Sequence, residues 1–290
     1  MIDAYLNHLL IIICIYLILA LSLQLSLGYT GLLNLGHIAF FGIGAYVTAL
    51  LAKAGFPFWL CLMVAGILPA VFGYLLSLPT NRLKGDYLAL ITLGFTFIVY
   101  AILLNWVDLT RGPLGIPGIP KPEFLNIDFA NNINFLLLVF FLALLTYLVI
   151  KYIANSRFGK ILESIRDDEL AAKILGKNTS KAKSISLIIA AFFAGIAGSL
   201  YAYYITFIDP SSFTFAGIIP ILVIVIVGGV ASLEGTVLAT IFIILLPEPL
   251  RFIGMPSSLI GSVRQIIYAA ILLLIIMYKP KGFYGRIELE

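Results

Sequence analysis

Residues 151–184 read KYIANSRFGKILESIRDDELAAKILGKNTSKAKS and separate two long apolar runs, residues 133–150 and 185–206. This is the only long hydrophilic stretch of the chain with a dense charge pattern, and it holds eight of the 18 basic residues. Such a loop between apolar runs is typical of a helical membrane protein that displays the loop to a partner. The positive-inside rule predicts that the loop is cytoplasmic.

A short helix is predicted inside this loop, over residues 170–175. Asp167, Asp168 and Glu169 precede it, Lys173 lies in its last turn and Gly176 follows it, which is the usual arrangement of charges and glycine around a helix. Helices this short are marginal alone in water, so we expect its apolar side to dock on another surface. A solvated connector is the alternative. The apolar side comprises Leu170, Ala171, Ile174 and Leu175.

Composition excludes a soluble domain. The chain is 62% hydrophobic and 11% charged, with a mean hydropathy of +1.11, whereas soluble domains carry about a quarter charged residues. We therefore predict an all-α polytopic membrane protein with one transmembrane domain over residues 1–290. The net charge of +4 mostly reflects basic residues in the predicted cytoplasmic loops, so it bears on the orientation of the chain in the membrane and does not indicate nucleic-acid binding. The N-terminus lacks the basic start of a cleavable signal, so we expect its first apolar run to remain a span.

Eight apolar segments are candidate spans, since a spanning helix needs about 20 residues. Residues 217–246 differ from the others because their middle, GGVASLEG at residues 228–235, predicts a break. This segment is expected to cross twice as short helices or to form a re-entrant hairpin. The seven other candidates are residues 8–27, 38–52, 56–78, 87–105, 133–150, 185–206 and 264–278.

Basic residues set the predicted topology. Arg82 and Lys84 are placed inside, residues 106–132 form an extracytoplasmic loop, and residues 151–184 return inside. The tail is also placed inside through Lys279, Lys281 and Arg286. Parity then puts the N-terminus outside and gives about nine crossings, within a range of 8–10.

A second break is predicted near the front, where residues 28–37 read GYTGLLNLGH. Interrupted helices are tolerated in membranes only where the freed backbone faces protein or water, and breaks in both halves point to a translocation path. Hairpin turns at the membrane surface are the alternative. Small residues also recur at every fourth position in residues 185–206, which predicts a tight helix bundle or a dimer seam. One series is Ala191, Gly195 and Ser199, and the other is Ala194, Gly198 and Ala202.

No catalytic or metal site is predicted. Cys14 and Cys61 lie inside apolar runs, and no phosphate-binding Gly-x-x-x-x-Gly-Lys-Ser/Thr motif occurs. No nucleophile, base and orienting acid are grouped. We therefore interpret the chain as a non-enzymatic subunit that binds no cofactor.

Five blocks in order resemble the permease subunits of ABC importers for branched-chain amino acids, the LivM type more than the LivH type. The likeness extends over about residues 28–250. The blocks are residues 28–46, 85–94, 109–120, 155–178 and 228–235.

This resemblance implies an importer that also contains a second, similar permease in a heterodimer, two ATPases that use the ATP, and an extracytoplasmic binding protein. It implies the cytoplasmic (inner) membrane of a bacterium or archaeon, contact with lipid and none with nucleic acid. It also implies that the short cytoplasmic helix docks on an ATPase. The coupling residues expected from it are Gly159, Glu163, Arg166, Asp167, Ala171 and Gly176.

A path for an apolar amino acid needs a few polar groups among apolar walls. The candidates are Asn34, His37, Thr92, Thr96 and Glu234. His37 has the alternative of a hydrogen-bonded core histidine, and Glu234 that of a helix cap in a wet cytoplasmic turn. In the proline-rich outer loop, docking of the binding protein is expected at Arg111, Gly115 and Lys121.

Leucine, isoleucine and valine are the substrates that the resemblance implies, and urea or short amides are the alternative within the same importer class. An ion-coupled secondary transporter is the alternative from another class, and it would use intramembrane acids, for which only Glu234 is a candidate. A membrane scaffold without transport activity is disfavoured by the breaks in both halves.

Overall fold

Helices account for nearly all of the structure. The computed structural model describes residues 2–80, 86–124, 127–129, 131–248, 257–279 and 282–285. The α-helices are α1 Ile2–Leu23, α2 His37–Lys53, α3 Phe58–Thr80, α4 Asp86–Asn105, α5 Val107–Thr110, α6 Asn132–Asn155, α7 Arg157–Asp167, α8 Glu169–Ile174, α9 Thr179–Ile205, α10 Ile218–Gly228, α11 Leu233–Leu245 and α12 Ser257–Tyr278. A π-helix, Gln24–Tyr29, continues α1, and 3₁₀ turns cover Gly112–Leu114, Pro210–Phe213 and Phe215–Gly217.

The apolar runs of the sequence become these helices. Among the described residues, five helices are long and apolar enough to cross a membrane, and four shorter apolar helices of 10–17 residues accompany them. The prediction of an all-α polytopic membrane protein is therefore confirmed. The number of crossings and the orientation stay predictions, as does the boundary of one domain over residues 1–290. Arg82, Lys84, Lys281 and Arg286, on which the topology argument partly rests, lie outside the described residues.

Both predicted helix breaks are present. The first break comprises the π-helix Gln24–Tyr29 and residues 30–36, after which α2 begins at His37. The second break covers residues 229–232 and divides the thirty-residue apolar segment into α10 and α11. The latter two helices pack against each other.

Helix α9 packs against α2 and α3, and its small residues make those contacts possible. A methyl group placed on Gly195 would overlap the carbonyl oxygen of Ala65 in α3, and one on Gly198 would overlap that of Phe41 in α2. Close backbone approach through small residues is the usual way in which helices associate inside a membrane protein. The prediction of a tight bundle is therefore confirmed by contacts within the chain.

Two ends of the bundle differ in character. Helices α7 and α8 form what we call the charged end, between the last residue of α6 and the first of α9. At the opposite end, which we call the loop end, strand β1 (Ile116–Pro117) pairs antiparallel with β4 (Phe207–Ile208), directly after α9. Strands β2 (Glu123–Phe124) and β3 (Ile127–Asp128) form a separate antiparallel pair within the same loop. The outer loop is thus fastened to the end of the central helix.

Replacing Gly195 with alanine should destabilise the fold, because the added methyl group has no room against α3. Overpacking of this kind costs about 1–3 kcal/mol. We expect a lower midpoint of thermal unfolding in detergent. Gly94→Ala is the matched control, since a methyl group there meets nothing within 4 Å and alanine favours a helix over glycine by about 1 kcal/mol. Equal midpoints for the two variants would contradict the packing argument.

Candidate coupling and translocation site

Two consecutive helices, α7 and α8, occupy the charged end. Ser156 caps α7 by accepting a hydrogen bond from the Gly159 backbone, at 3.3 Å. Asp168 caps α8 by accepting from Leu170 and Ala171, at 2.8 and 3.1 Å. The predicted short helix is confirmed. Helix α7 was missed, although its apolar residues Phe158, Ile161, Leu162 and Ile165 recur at helical spacing.

Helix α8 has one buried apolar side chain and several exposed ones. Ala172 is buried, whereas Leu170, Ile174 and, just after the helix, Leu175 are 56%, 86% and 75% exposed. Large apolar groups grouped on a surface are typical of a site that another protein covers. Ala171 and Gly176 are also exposed, and Gly176 takes the left-handed conformation that ends the helix, with φ of 76°.

Glu169 ties α8 to α9 through two lysines. Lys183 Nζ lies 2.5 Å from Oε2 of Glu169, and Lys173 Nζ lies 2.8 Å from Oε1. Thr179 also donates to Oε1, at 3.2 Å. Burial of the carboxyl acts to raise its pKa, but the hydrogen bonds and charges of both lysines outweigh burial, so the pKa of Glu169 lies below its usual value.

Arg166 joins α7 to the first helix break. Its Nη1 donates to the carbonyl oxygen of Gly28 at 2.9 Å, and a methyl group on Gly31 would lie 3.0 Å from its Cγ. Its other nitrogens donate to Asp167, which is mostly exposed. The guanidinium therefore faces the interior of the chain and not the surface that α8 presents.

The two helix breaks touch each other. The side-chain amide of Gln24, in the π-helix, donates to the carbonyl oxygens of Gly229 and Ser232, at 2.7 and 3.3 Å. A methyl group on Gly28 would lie 2.8 Å from the backbone nitrogen of Ala231. Breaks that are two hundred residues apart in sequence thus form one junction, to which Arg166 is bonded.

Four predicted path residues lie at or beside the first break and are buried: Asn34 within it, His37 at the start of α2, and Thr92 and Thr96 in α4. The hydroxyl of Thr92 accepts from the Leu35 backbone at 3.1 Å, and Thr96 donates to the Leu35 carbonyl at 2.9 Å. Asn34 accepts from the Gly36 backbone at 3.0 Å. These side chains hold the interrupted backbone in place.

The fourth residue, His37, points its Nε2 at Ser22 Oγ and the Leu19 carbonyl oxygen, at 2.9 and 3.1 Å. Within the described chain, His37 Nδ1 and Asn34 Nδ2 are buried and have no hydrogen-bond partner. Both atoms are therefore able to bond a polar group that enters the bundle. The role of these residues in a path stays a prediction.

Glu234 lies away from that group, exposed in the first turn of α11, which Ser232 caps. It lines a cavity of about 130 Å³ at the charged end. Glu163 of α7 and Lys151 of α6 line the same cavity. The structure thus brings together two residues that were expected in separate roles, one in coupling and one in the path.

The predicted docking residues lie at the loop end. Arg111 is exposed with φ of 61°, and Lys121 is exposed. Gly115 is buried with φ of 66°, and a methyl group there would overlap the Ile208 carbonyl oxygen. Gly115 therefore shapes the loop from within. Of the other predicted coupling residues, Gly159 is buried at the start of α7, where a methyl group would overlap the Ala154 carbonyl oxygen.

Sequence reasoning missed a second polar group, near the loop end. Nη2 of Arg264, in α12, lies 3.8 Å from Oε1 of Glu248, just beyond α11. Tyr5 donates to Oε2 of the same carboxylate. The available signal was an arginine inside an apolar run and an acid between two prolines, Pro247 and Pro249.

Broken apolar helices that meet in one junction, linked to a pair of surface helices, define a multi-pass membrane permease. The chain belongs to the family described as "Branched-chain amino acid transport system / permease component", which matches residues 5–277. It is 37% identical to the permease protein LivM of Escherichia coli (strain K12), over 92% of this chain and 67% of that one.

Two further relatives share less identity with the chain. LivM of Methanocaldococcus jannaschii is 26% identical, over 92% of this chain and 90% of that one. LivH of Escherichia coli (strain K12) is 25% identical, over 95% and 92%. No solved structure matches the chain. The resemblance that the five sequence blocks carry, to the LivM type more than to the LivH type, is confirmed.

Replacing Glu169 with glutamine should loosen α8 from α9, because Lys183, 7% exposed, loses its carboxylate partner. The expected cost is about 1–3 kcal/mol, measured as lower hydrogen-exchange protection over residues 169–174. Lys181→Gln, which removes an exposed charge from α9, is the control and should leave protection unchanged. Unchanged protection in Glu169→Gln would contradict the conclusion that Glu169 holds α8 to α9.

The ion pairs of Glu169 with Lys173 and Lys183 should also weaken in acid. Because the folded-state pKa of Glu169 is lowered, its contribution is fully present above the unfolded pKa of about 4.3 and is lost as the pH falls through the lower folded value. Protection factors over residues 169–174 should therefore be constant from pH 7 to pH 5 and fall below about pH 4. A loss near neutral pH would rule out Glu169 as the titrating group.

Proposed function

We propose that this permease is one of two in an ATP-driven importer that carries leucine, isoleucine and valine into a bacterial or archaeal cell across the cytoplasmic membrane. The partners in this proposal are a second permease of the same family, two ATPases and an extracytoplasmic binding protein. The observation that carries it is the exposed apolar surface of α8, joined through α7 and Arg166 to the junction of both helix breaks. The relatives named for branched-chain amino acid transport support the substrate class.

The charged end is the side on which we place the ATPases. Residues 151–184, which include α7 and α8, hold eight of the 18 basic residues, which favours the cytoplasm. In this arrangement an ATPase covers Leu170, Ile174 and Leu175, and these side chains are the anchors of the interface. ATP binds and reacts on the ATPases, and this chain supplies no group to it.

Movement of the ATPases passes to the bundle through hydrogen bonds to broken backbone. A shift of α7 moves Arg166, which is bonded to Gly28 in the first break, and Gln24 carries the shift to Gly229 in the second. Segments outside regular helices absorb changes of backbone angle more readily than helix interiors do. The junction is therefore the hinge at which the path opens to one side and then to the other.

The loop end is the side on which we place the binding protein. Arg111 and Lys121 present positive charge there, while pairing of β1 with β4 and the hydrogen bond from Ile119 to the Thr206 carbonyl hold the loop in one shape. A loop of fixed shape loses little conformational freedom when a partner docks on it.

Arg166→Ala and Glu163→Ala should each lower leucine uptake by at least tenfold while membrane abundance stays within twofold of the wild type. Arg166 connects α7 to the hinge, and Glu163 lines the cavity between α7 and the second break. The measurement is uptake into cells, with the membrane content of the permease determined in parallel.

Lys160→Ala is the matched control on α7, because this exposed residue forms no hydrogen bond to either break among the described residues and should support normal uptake. Normal uptake in both Arg166→Ala and Glu163→Ala would count heavily against a coupling role for α7. Loss of the protein from the membrane would assign them a structural role instead.

Co-purification in mild detergent from the native membrane tests the whole assembly. We expect a second permease and ATPases to accompany the chain, and we expect ATP hydrolysis to increase when binding protein and leucine are added together. Stimulation by urea or acetamide in place of leucine would reassign the substrate. A lone polypeptide that carries leucine without ATP would overturn the importer in favour of a secondary transporter.

A further inference from the structure

A cavity of about 400 Å³ lies toward the loop end, between the starts of α1, α10 and α12 and the ends of α9 and α11. This volume falls within the roughly 300–1,000 Å³ of small-molecule sites. It is distinct from the junction of the helix breaks and from the small cavity of Glu163 and Glu234, because those lie at the charged end.

One charge of each sign lines this cavity. Glu248 follows the end of α11 and Arg264 lies in α12. Both side chains are mostly buried, at 16% and 32% exposed. Their nearest nitrogen and oxygen are 3.8 Å apart, which is too far for a direct hydrogen bond. Ionisable side chains among membrane helices are costly and are usually retained for function.

The guanidinium of Arg264 is incompletely bonded. Its Nε is buried without a hydrogen-bond partner among the described residues. A pair that served only to fasten α12 to α11 would be expected to satisfy this donor, since buried polar atoms that lack partners are costly. The unsatisfied donor therefore points to an anionic group that is absent from the free chain.

The remaining walls combine apolar and polar side chains. Leu9, Ile12, Ile205 and Ile244 supply aliphatic surface, and Tyr16 and Tyr268 supply aromatic surface. His8, Tyr201 and Gln265 add polar groups to the lining, so the cavity offers an aliphatic side beside the two charges and further hydrogen-bonding groups around them.

We propose that this cavity holds a zwitterionic amino acid during translocation, with its carboxylate on Arg264, its ammonium group on Glu248 and its branched side chain among the aliphatic walls. An α-amino acid bears both charges on one carbon, so it can bridge two opposite charges that stand this close. The guanidinium is suited to a carboxylate because its parallel N–H groups match both oxygens. The inference rests on the proposed importer function and adds the place where the permease itself contacts the substrate.

The experiment uses the purified complex in proteoliposomes with saturating binding protein and L-leucine. Glu248→Gln keeps the shape of the side chain and removes its charge, whereas Arg264→Gln removes the charge and shortens the side chain. We expect each to lower leucine uptake by at least tenfold while leaving the ATP hydrolysis that liganded binding protein stimulates within twofold of the wild type. Arg264→Lys, which retains the positive charge, should recover part of the uptake. Asp108→Asn removes an exposed charge near the loop end and should transport normally.

Each outcome decides between the alternatives. Normal leucine uptake in Glu248→Gln and Arg264→Gln overturns the inference. A parallel fall of uptake and ATP hydrolysis, with no recovery in Arg264→Lys, also overturns it, because that result would show that the two residues only maintain the fold. If the unmodified complex carries no leucine, or carries it without ATP, the importer function itself is refuted. That result differs from normal leucine uptake by the variants, which refutes only the inferred site.

Discussion

Where a helix is interrupted inside an apolar bundle, its backbone N–H and C=O groups lose their helical hydrogen bonds and must find other partners. This constraint governs the centre of the molecule. Water cannot supply those partners in the hydrocarbon layer, so side chains do. Gln24 bonds carbonyl oxygens of the second break, Arg166 bonds Gly28 in the first, and Thr96 bonds Leu35 farther along the first. The chain can interrupt its helices only because these polar side chains reach the interruptions.

The same bonds couple parts of the chain that are distant in sequence. Gln24 spans the two breaks, and Arg166 attaches a surface helix to them, so none of the three segments can shift without strain in another. Close packing of α9 on α2 and α3 leaves little room for motion there. Movement is therefore concentrated where backbone is held by side chains and not by helical hydrogen bonds.

Much of the fold could be predicted from the sequence because its cause is local. Apolar runs of suitable length predict helices, and GGVASLEG at residues 228–235 predicts the second break. Contacts between distant segments have no local signal. Gln24 lies in an apolar run and gives no indication that it bonds Gly229, and Arg166 was expected to face a partner but bonds Gly28. Glu248 and Arg264 are sixteen residues apart and meet only because α11 and α12 return to the same end.

A permease site must recognise its substrate and still release it, and the paired charges near the loop end reconcile these demands. A ligand that bonds Glu248 and Arg264 replaces their attraction for each other, so the net gain on binding is smaller than the new contacts alone would give. Recognition still requires both charges, because a ligand with one charge would leave a buried group without its counterpart. Weak binding that is nevertheless selective suits an intermediate stage of transport, where a deep energy minimum would slow passage.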